Sequence, residues 1–126
     1  MSALTEYSLH KAINHLLDGG VFVALHTADP GANGSASEVD ASLDTDYTRQ
    51  ATSFAPASGG RTQNTAPLSW TVNSASPGYT VTHLSLWDAA TGGNPLFVGE
   101  LAVPITLAAG DVNNALAAST IIIKGM

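Results

Sequence analysis

Near the start of the chain, apolar residues recur every three or four positions, which is the spacing of one face of an α-helix. Thr5 can cap such a helix, Glu6 places an acid in its first turn, and the glycines at 19–20 can end it. The pattern therefore predicts a helix at about residues 5–18 that packs against the rest of the protein. Its predicted packing face consists of Leu9, Ile13, Leu16 and Leu17.

After the helix the hydrophobic period changes to two, and short segments rich in β-branched and aromatic residues alternate with clusters of Gly, Pro, Asn and Asp. Residues 29–46 are acidic, polar and without a period, and we expect them to form a loop that is mobile or wrapped on a neighbour. The predicted fold is mainly β: an antiparallel β-sandwich, jelly-roll or Ig-like, with one N-terminal α-helix, in a single domain over residues 1–126. The predicted strands are 21–26, 47–54, 61–66, 68–72, 79–88, 95–103, 105–107 and 118–124.

The charge balance argues against several classes of partner. Ten acidic residues stand against four lysines and arginines, and the net charge of −6 repels nucleic acid and anionic lipid. No apolar run approaches the roughly 20 residues of a membrane span and no signal peptide is evident, so we expect no membrane partner and assembly in a cytoplasm. Only 11% of the residues are charged and none is cysteine. This composition favours stability from packing, including contacts in a homo-oligomer.

The stretch VALHTADPG (23–31) places His26 close to Asp29, a pair that could serve acid/base catalysis. Such chemistry also needs an oriented nucleophile and an oxyanion donor, and the chain has no G-x-S-x-G elbow to supply them. A turn explains the stretch better, because Pro30 fixes φ, Gly31 accepts a positive φ and the Asp29 side chain can bond the amides beyond it. We therefore predict a structural turn, a His26 that packs or hydrogen-bonds at the edge of the sandwich, and no catalytic residue or enzyme activity.

Neither the histidines nor the acidic run predicts a metal site. The four histidines lack any clustered spacing typical of metal ligands. The run EVDASLDTD (38–46) offers carboxylates for calcium, but it lacks the alternating acids, central glycine and closing glutamate of an EF-hand loop. We expect a solvated acidic loop and no bound metal or cofactor.

The stretch HLSLWDAATGGNPLFVGEL (83–101) predicts a hairpin in which a strand ends at Trp87 and Asp88, turns at two glycines and returns. Asp88 can bond the amides of the turn, and Trp87 can cover one face of the sheet. A Trp–Asp pair at a turn can also form a platform for a sugar ring. Trp87 and Asp88 are therefore the candidate interaction surface.

Several blocks of this sequence occur in an order that resembles a family of small tailed-bacteriophage virion proteins. They are LDGG (17–20), VALHTADPG, YTRQATSFAPASGGRTQN (47–64), VTHLSLWDAATGGNPLFVGEL (81–101) and LAAGD (107–111). Members are labelled as tail-fibre-like or as capsid-stabilising and decorating proteins. The resemblance implies a small β-sandwich in the virion, no catalysis, and the major capsid protein or other virion proteins as partners.

Two structural roles are compatible with this resemblance. A head decoration or minor capsid protein that stabilises the shell is the first hypothesis, because a fibre tip normally belongs to a longer chain with a fibrous shaft and no heptad or fibrous repeat is present here. A tail-fibre or baseplate-associated protein that contacts host glycan is the alternative.

Overall fold

One helix and eight strands follow one another in the part of the chain that the computed structural model describes, residues 5–116 and 121–124. The helix is α1 (Glu6–Leu17), and the strands are β1 (Val21–His26), β2 (Gln50–Thr52), β3 (Arg61–Gln63), β4 (Leu68–Thr71), β5 (Tyr79–Trp87), β6 (Pro95–Leu107), β7 (Val112–Leu116) and β8 (Ile122–Lys124). A mainly β chain with one N-terminal helix confirms the sequence prediction. The predicted strands at 95–103 and 105–107 form one strand, β6, and β7 was not predicted. The predicted strand at 118–124 begins outside the described residues.

All strand pairs are antiparallel. Four strands form one sheet in the order β2-β1-β5-β6, and β3 pairs with β8 and β4 with β7 in two smaller sheets. The long partners β5 and β6 change register between Val81 and His83, where several β6 residues lie opposite one β5 residue. This arrangement of sheets is consistent with the predicted sandwich.

Helix α1 packs through a narrower stripe than its sequence predicts. Ile13 and Leu17 are buried, at 4% and 7% exposure, and Leu9 packs partly against the core. The prediction for Leu16 is wrong: it is 42% exposed. The contacts follow the i, i+4 row from Leu9 to Leu17, and Leu16 lies about 100° away from Leu17 around the helix axis. No helix in the described residues is long and apolar enough to cross a membrane.

The core lies against one face of the four-stranded sheet. Cross-strand partners project to the same face, so Val23 on β1 lies beside Leu86 on β5, and Leu25 beside Leu84. These side chains join the buried residues of α1 and β4 in one cluster. The buried apolar members outside the main sheet are Ile13, Leu17, Val39, Leu68, Trp70 and Val72.

The acidic stretch 29–46 packs on its own chain, contrary to the expected mobile or neighbour-bound loop. Val39 is 2% exposed, and its amide donates to the Leu25 carbonyl at 3.0 Å. We call residues 27–38, which precede this anchor, the cap segment. Gly34 brings the cap segment against β6 so closely that an added Cβ would lie 2.9 Å from Pro95 Cβ. The cap segment thus covers part of the sheet face opposite the core.

Candidate functional site

The second face of the four-stranded sheet, turned away from the core, carries polar side chains. On β1 and β5, partners Ala24 and Ser85 share this face, as do His26 and His83. Trp87 follows Ser85 at the next position on the same face. Four of these five residues are buried or half-buried side chains able to hydrogen-bond, and the cap segment lies over them.

Arg49 ties this face together. Its guanidinium carbon lies 3.9 Å from the centroid of the Trp87 ring, and its Nε and Nη2 donate to the two oxygens of Glu38 at 3.0 and 2.9 Å. Nη1 donates to the carbonyls of Ala89 and Gly92, at 3.1 and 2.9 Å. The planar guanidinium can make these contacts together, because its donors point in fixed directions. One side chain therefore joins the cap segment, the segment before β2 and the hairpin after β5.

Tyr47 completes the surroundings of Glu38. Its hydroxyl donates to Glu38 Oε2 at 2.7 Å and accepts from the Leu25 amide at 3.1 Å. Burial alone would raise the pKa of Glu38, but the bonds from Arg49 and Tyr47 outweigh it and lower that pKa. Burial raises the pKa of Tyr47, and the charge of Glu38 raises it further. Glu38 is thus held as a carboxylate, and Tyr47 as a neutral phenol.

His26 lies inside this face rather than at an edge, which corrects its predicted place. It is 0% exposed; Nδ1 lies 2.8 Å from the Ala36 carbonyl and Nε2 lies 2.6 Å from Ser85 Oγ. Because a carbonyl only accepts, Nδ1 carries the proton in the neutral ring and Nε2 accepts from the Ser85 hydroxyl. Trp87 Nε1 donates to the same hydroxyl oxygen at 2.6 Å. Burial lowers the pKa of His26 below its usual value, although the Ala36 bond and Glu38 oppose this shift.

His26 and Asp29 do not form the acid/base pair that was the alternative to the predicted turn. Asp29 is exposed, and its Oδ1 accepts from the Gly31 amide at 2.9 Å. Gly31 has φ +76° and Pro30 is buried, so these three residues form the turn at the start of the cap segment. Ser85, the hydroxyl that does contact His26, is only 1% exposed, which closes the pair to a substrate.

Trp87 and Asp88, the candidate interaction surface, differ in accessibility. Trp87 is 5% exposed under Arg49, so it does not offer its ring as a sugar platform. Asp88 is exposed and accepts from the backbone amide and the side-chain amide of Asn94, at 2.7 and 3.0 Å. These two bonds lower the pKa of Asp88. Asp88 thus closes the hairpin turn, as its sequence position suggested.

The acidic run also contains a fully buried carboxylate, whose burial sequence reasoning missed. Asp44 is 2% exposed; its Oδ1 accepts from the amides of Asp46 and Asn73 at 3.0 and 3.1 Å, and its Oδ2 accepts from the Tyr79 hydroxyl at 2.9 Å. It joins the end of the acidic stretch to the loop after β4 and to the start of β5. Among the described residues, no group of three or more His, Cys, Asp or Glu side chains could hold a metal ion.

Sequence reasoning also missed Arg49, Glu38 and Tyr47 as members of one cluster. The available signal was the rarity of cations: an arginine inside a strand-like segment of a chain with only four lysines and arginines needs a carboxylate nearby. Nothing in the sequence identifies which of ten acids it is. What this cluster can do chemically is hold three separate segments in one arrangement.

Comparison with known proteins gives a family. No curated protein matches the chain. A family model described as "Podophage GP4 fiber I protein gp80" matches residues 3–124, nearly the whole sequence. The resemblance to small tailed-phage virion proteins is confirmed, and the fibre label agrees better with the tail hypothesis than with head decoration. The chain belongs to the family of the podophage GP4 fiber I protein gp80.

Proposed function

We propose that this chain is a non-enzymatic structural component of a phage tail, placed in or beside a fibre, where it contacts further copies of itself and other virion proteins. The observation that carries the proposal is the match to a fibre protein family over residues 3–124. The structure supports it through the buried polar cluster, in which Arg49, Glu38 and Tyr47 join segments that are distant in sequence. Such cross-links suit a domain whose distant segments must stay together in an assembly.

The head-decoration hypothesis has less support than the tail hypothesis. It depended on the lack of a fibrous shaft, but a small domain can be one subunit of a fibre made from several chains. The family name refers to a fibre and not to the capsid. Buried Trp87 removes the aromatic platform from the glycan hypothesis, so host-glycan contact is not part of this proposal.

Immunogold electron microscopy on intact virions tests the location directly. Antibodies raised against the purified chain should label the tail or its fibres, and their binding should be blocked by added purified chain. Gold spread evenly over the head shell would overturn the tail location. Quantitative gel densitometry of the same virions gives an independent count: a copy number tied to the rotational symmetry of a tail supports the proposal, and a copy number tied to the capsid lattice contradicts it.

The structural role can be tested separately from the location. Purified chain incubated with polysaccharide from the host surface should release no new reducing ends. Release that His26→Gln abolished in a normally folded protein would show catalysis and contradict the non-enzymatic role.

A further inference from the structure

The cap segment is held over the second sheet face by a hydrogen-bond chain whose direction is fixed. Trp87 Nε1 donates to Ser85 Oγ and the Ser85 hydroxyl donates to His26 Nε2, both at 2.6 Å. His26 Nδ1 then donates to the carbonyl of Ala36, in the cap segment, at 2.8 Å. While His26 is neutral, each donor in this series of hydrogen bonds has an acceptor.

A second proton on His26 disrupts this order. Nε2 would become a donor to Ser85 Oγ, whose two lone pairs would then face the His26 and Trp87 N–H groups, and the Ser85 hydroxyl proton would lose its acceptor. The imidazolium would also be a buried charge, since His26 is 0% exposed.

The charged and titratable groups around His26 offset that charge only in part. Glu38, in the cap segment, is the backbone β-bridge partner of His26. Its two carboxylate oxygens, however, are already bound to Arg49 and Tyr47. Arg49 adds a like charge from the segment before β2, and His83 is the cross-strand neighbour on β5. Of these groups only the occupied carboxylate attracts a proton on His26.

We propose that the cap segment is an acid-released latch: neutral His26 holds residues 27–36 on the sheet, and a proton on His26 Nε2 lets them detach. Detachment hydrates the imidazolium, while Glu38, still bound to Arg49 and Tyr47, and Val39, buried and bonded to Leu25, keep the end of the segment anchored. This device goes beyond the structural role proposed above, because it makes the surface formed by the cap segment depend on pH.

The sign of the effect follows from linkage. His26 binds a proton more weakly in the closed state, where burial lowers its pKa, than in the open state, where a histidine has its usual value of about 6.5. The closed state is therefore fully favoured above about pH 6.5. As pH falls from there toward the closed-state pKa, the open population rises by up to about tenfold per pH unit.

Nuclear magnetic resonance on the full chain tests the latch without any substitution. At pH 7.5 the ring nitrogens of His26 should show a protonated Nδ1 and an unprotonated Nε2. Amides of residues 27–36 should lose hydrogen-exchange protection, corrected for intrinsic rates, with the same midpoint as the His26 ring titration, and regain it on neutralisation. Amides of α1 and β4 should stay protected at that pH. Different midpoints for ring and segment, a ring that titrates with no change in protection, or a simultaneous loss over α1 and β4 would each overturn the proposal.

Two variants separate His26 from its neighbours. His26→Gln, which does not titrate in this range, should keep the protection of residues 27–36 constant from pH 7.5 to the acid limit of the fold. His83→Gln, at the cross-strand position, should respond to acid as the unchanged chain does. An acid response that persists in His26→Gln, or that disappears in His83→Gln, would contradict the assignment to His26. If His26→Gln does not fold, the agreement of midpoints in the unchanged chain decides.

Discussion

The guanidinium of Arg49 lies over the indole of Trp87, with its central carbon 3.9 Å from the ring centroid. The Arg49 side chain is only 8% exposed, and its edge donates to both oxygens of Glu38. Stacking on the ring leaves the in-plane donors free to bond the carboxylate and two backbone carbonyls. Arg49 thus covers the Trp87 ring and, from the same position, binds the carboxylate of the cap segment.

We expect Arg49→Met to destabilise the protein by about 3–5 kcal/mol, because it leaves the half-buried Glu38 carboxylate without a cation. Arg49→Lys keeps the charge but loses the planar set of N–H donors. Its free energy of unfolding should therefore lie between those of Arg49→Met and the unchanged chain. Urea denaturation followed by circular dichroism measures both values. Arg61→Lys, the same exchange at an exposed position, is the matched control. A free energy of unfolding for Arg49→Met equal to that of the unchanged chain would show that the cluster contributes nothing to stability.

Asp44 should be needed as an acceptor. We expect Asp44→Ala to cost about 3 kcal/mol or more, since it leaves the half-buried amide of Asn73 and the buried Tyr79 hydroxyl without their partner. Tyr79→Phe should cost about 1–3 kcal/mol, and the two losses should not add, because each substitution removes the same bond. Thermal melts and urea denaturation of the two single variants and the double variant give the interaction energy between the two positions.

The control for Asp44 is Asp40→Asn in the same acidic stretch. Asp40 is exposed, and its Oδ1 accepts from the amide and the hydroxyl of the nearby Ser42. We expect its substitution to leave the melting curve nearly unchanged. Equal effects of Asp40→Asn and Asp44→Ala would indicate that the carboxylates act through net charge and not through the bonds of one buried acceptor.

Local patterns predicted the parts of the fold that depend on neighbouring residues. The helix, β1 and the β5–β6 hairpin were predictable because their apolar periods and turn residues lie within short windows. Strand β7 (VNNAL) has too few apolar residues for an alternating pattern, and only its pairing with β4 defines it. Tertiary context, and not propensity, sets such strands.

The candidate site was less predictable because its members are far apart in sequence. Glu38, Arg49 and Trp87 come from three segments, and only the order β2-β1-β5 with the cap segment above it brings them together. The turn at Asp29 was predictable because its hydrogen bond spans two residues. The partner of His26 was not, because Ser85 lies on another strand, 59 positions away.

The narrow packing stripe of α1 predicts unequal effects of two similar substitutions. Ile13→Ala should cost about 2–5 kcal/mol, because it removes a side chain that is 4% exposed in the core. Leu16→Ala should change stability by less than about 0.5 kcal/mol, since Leu16 is 42% exposed and alanine is the better helix former. Thermal melts followed at 222 nm by circular dichroism compare the two directly. A Leu16→Ala loss as large as that of Ile13→Ala would mean that Leu16 is covered in solution, as by another copy of the chain.

Two glycines in the cap segment test its contact with β6. Gly31 and Gly34 both have positive φ, +76° and +68°, so alanine at either position carries a backbone strain of about 1–2 kcal/mol. At Gly31 the added methyl meets nothing nearer than 3.6 Å, whereas at Gly34 it would lie 2.9 Å from Pro95 Cβ and 3.3 Å from Val98 Cγ2. Gly34→Ala must therefore also push the cap segment away from β6, and we expect it to lower the melting temperature more than Gly31→Ala and to raise hydrogen exchange across residues 27–38. Equal melting temperatures, with unchanged exchange in that segment, would show that the cap segment does not rest on β6.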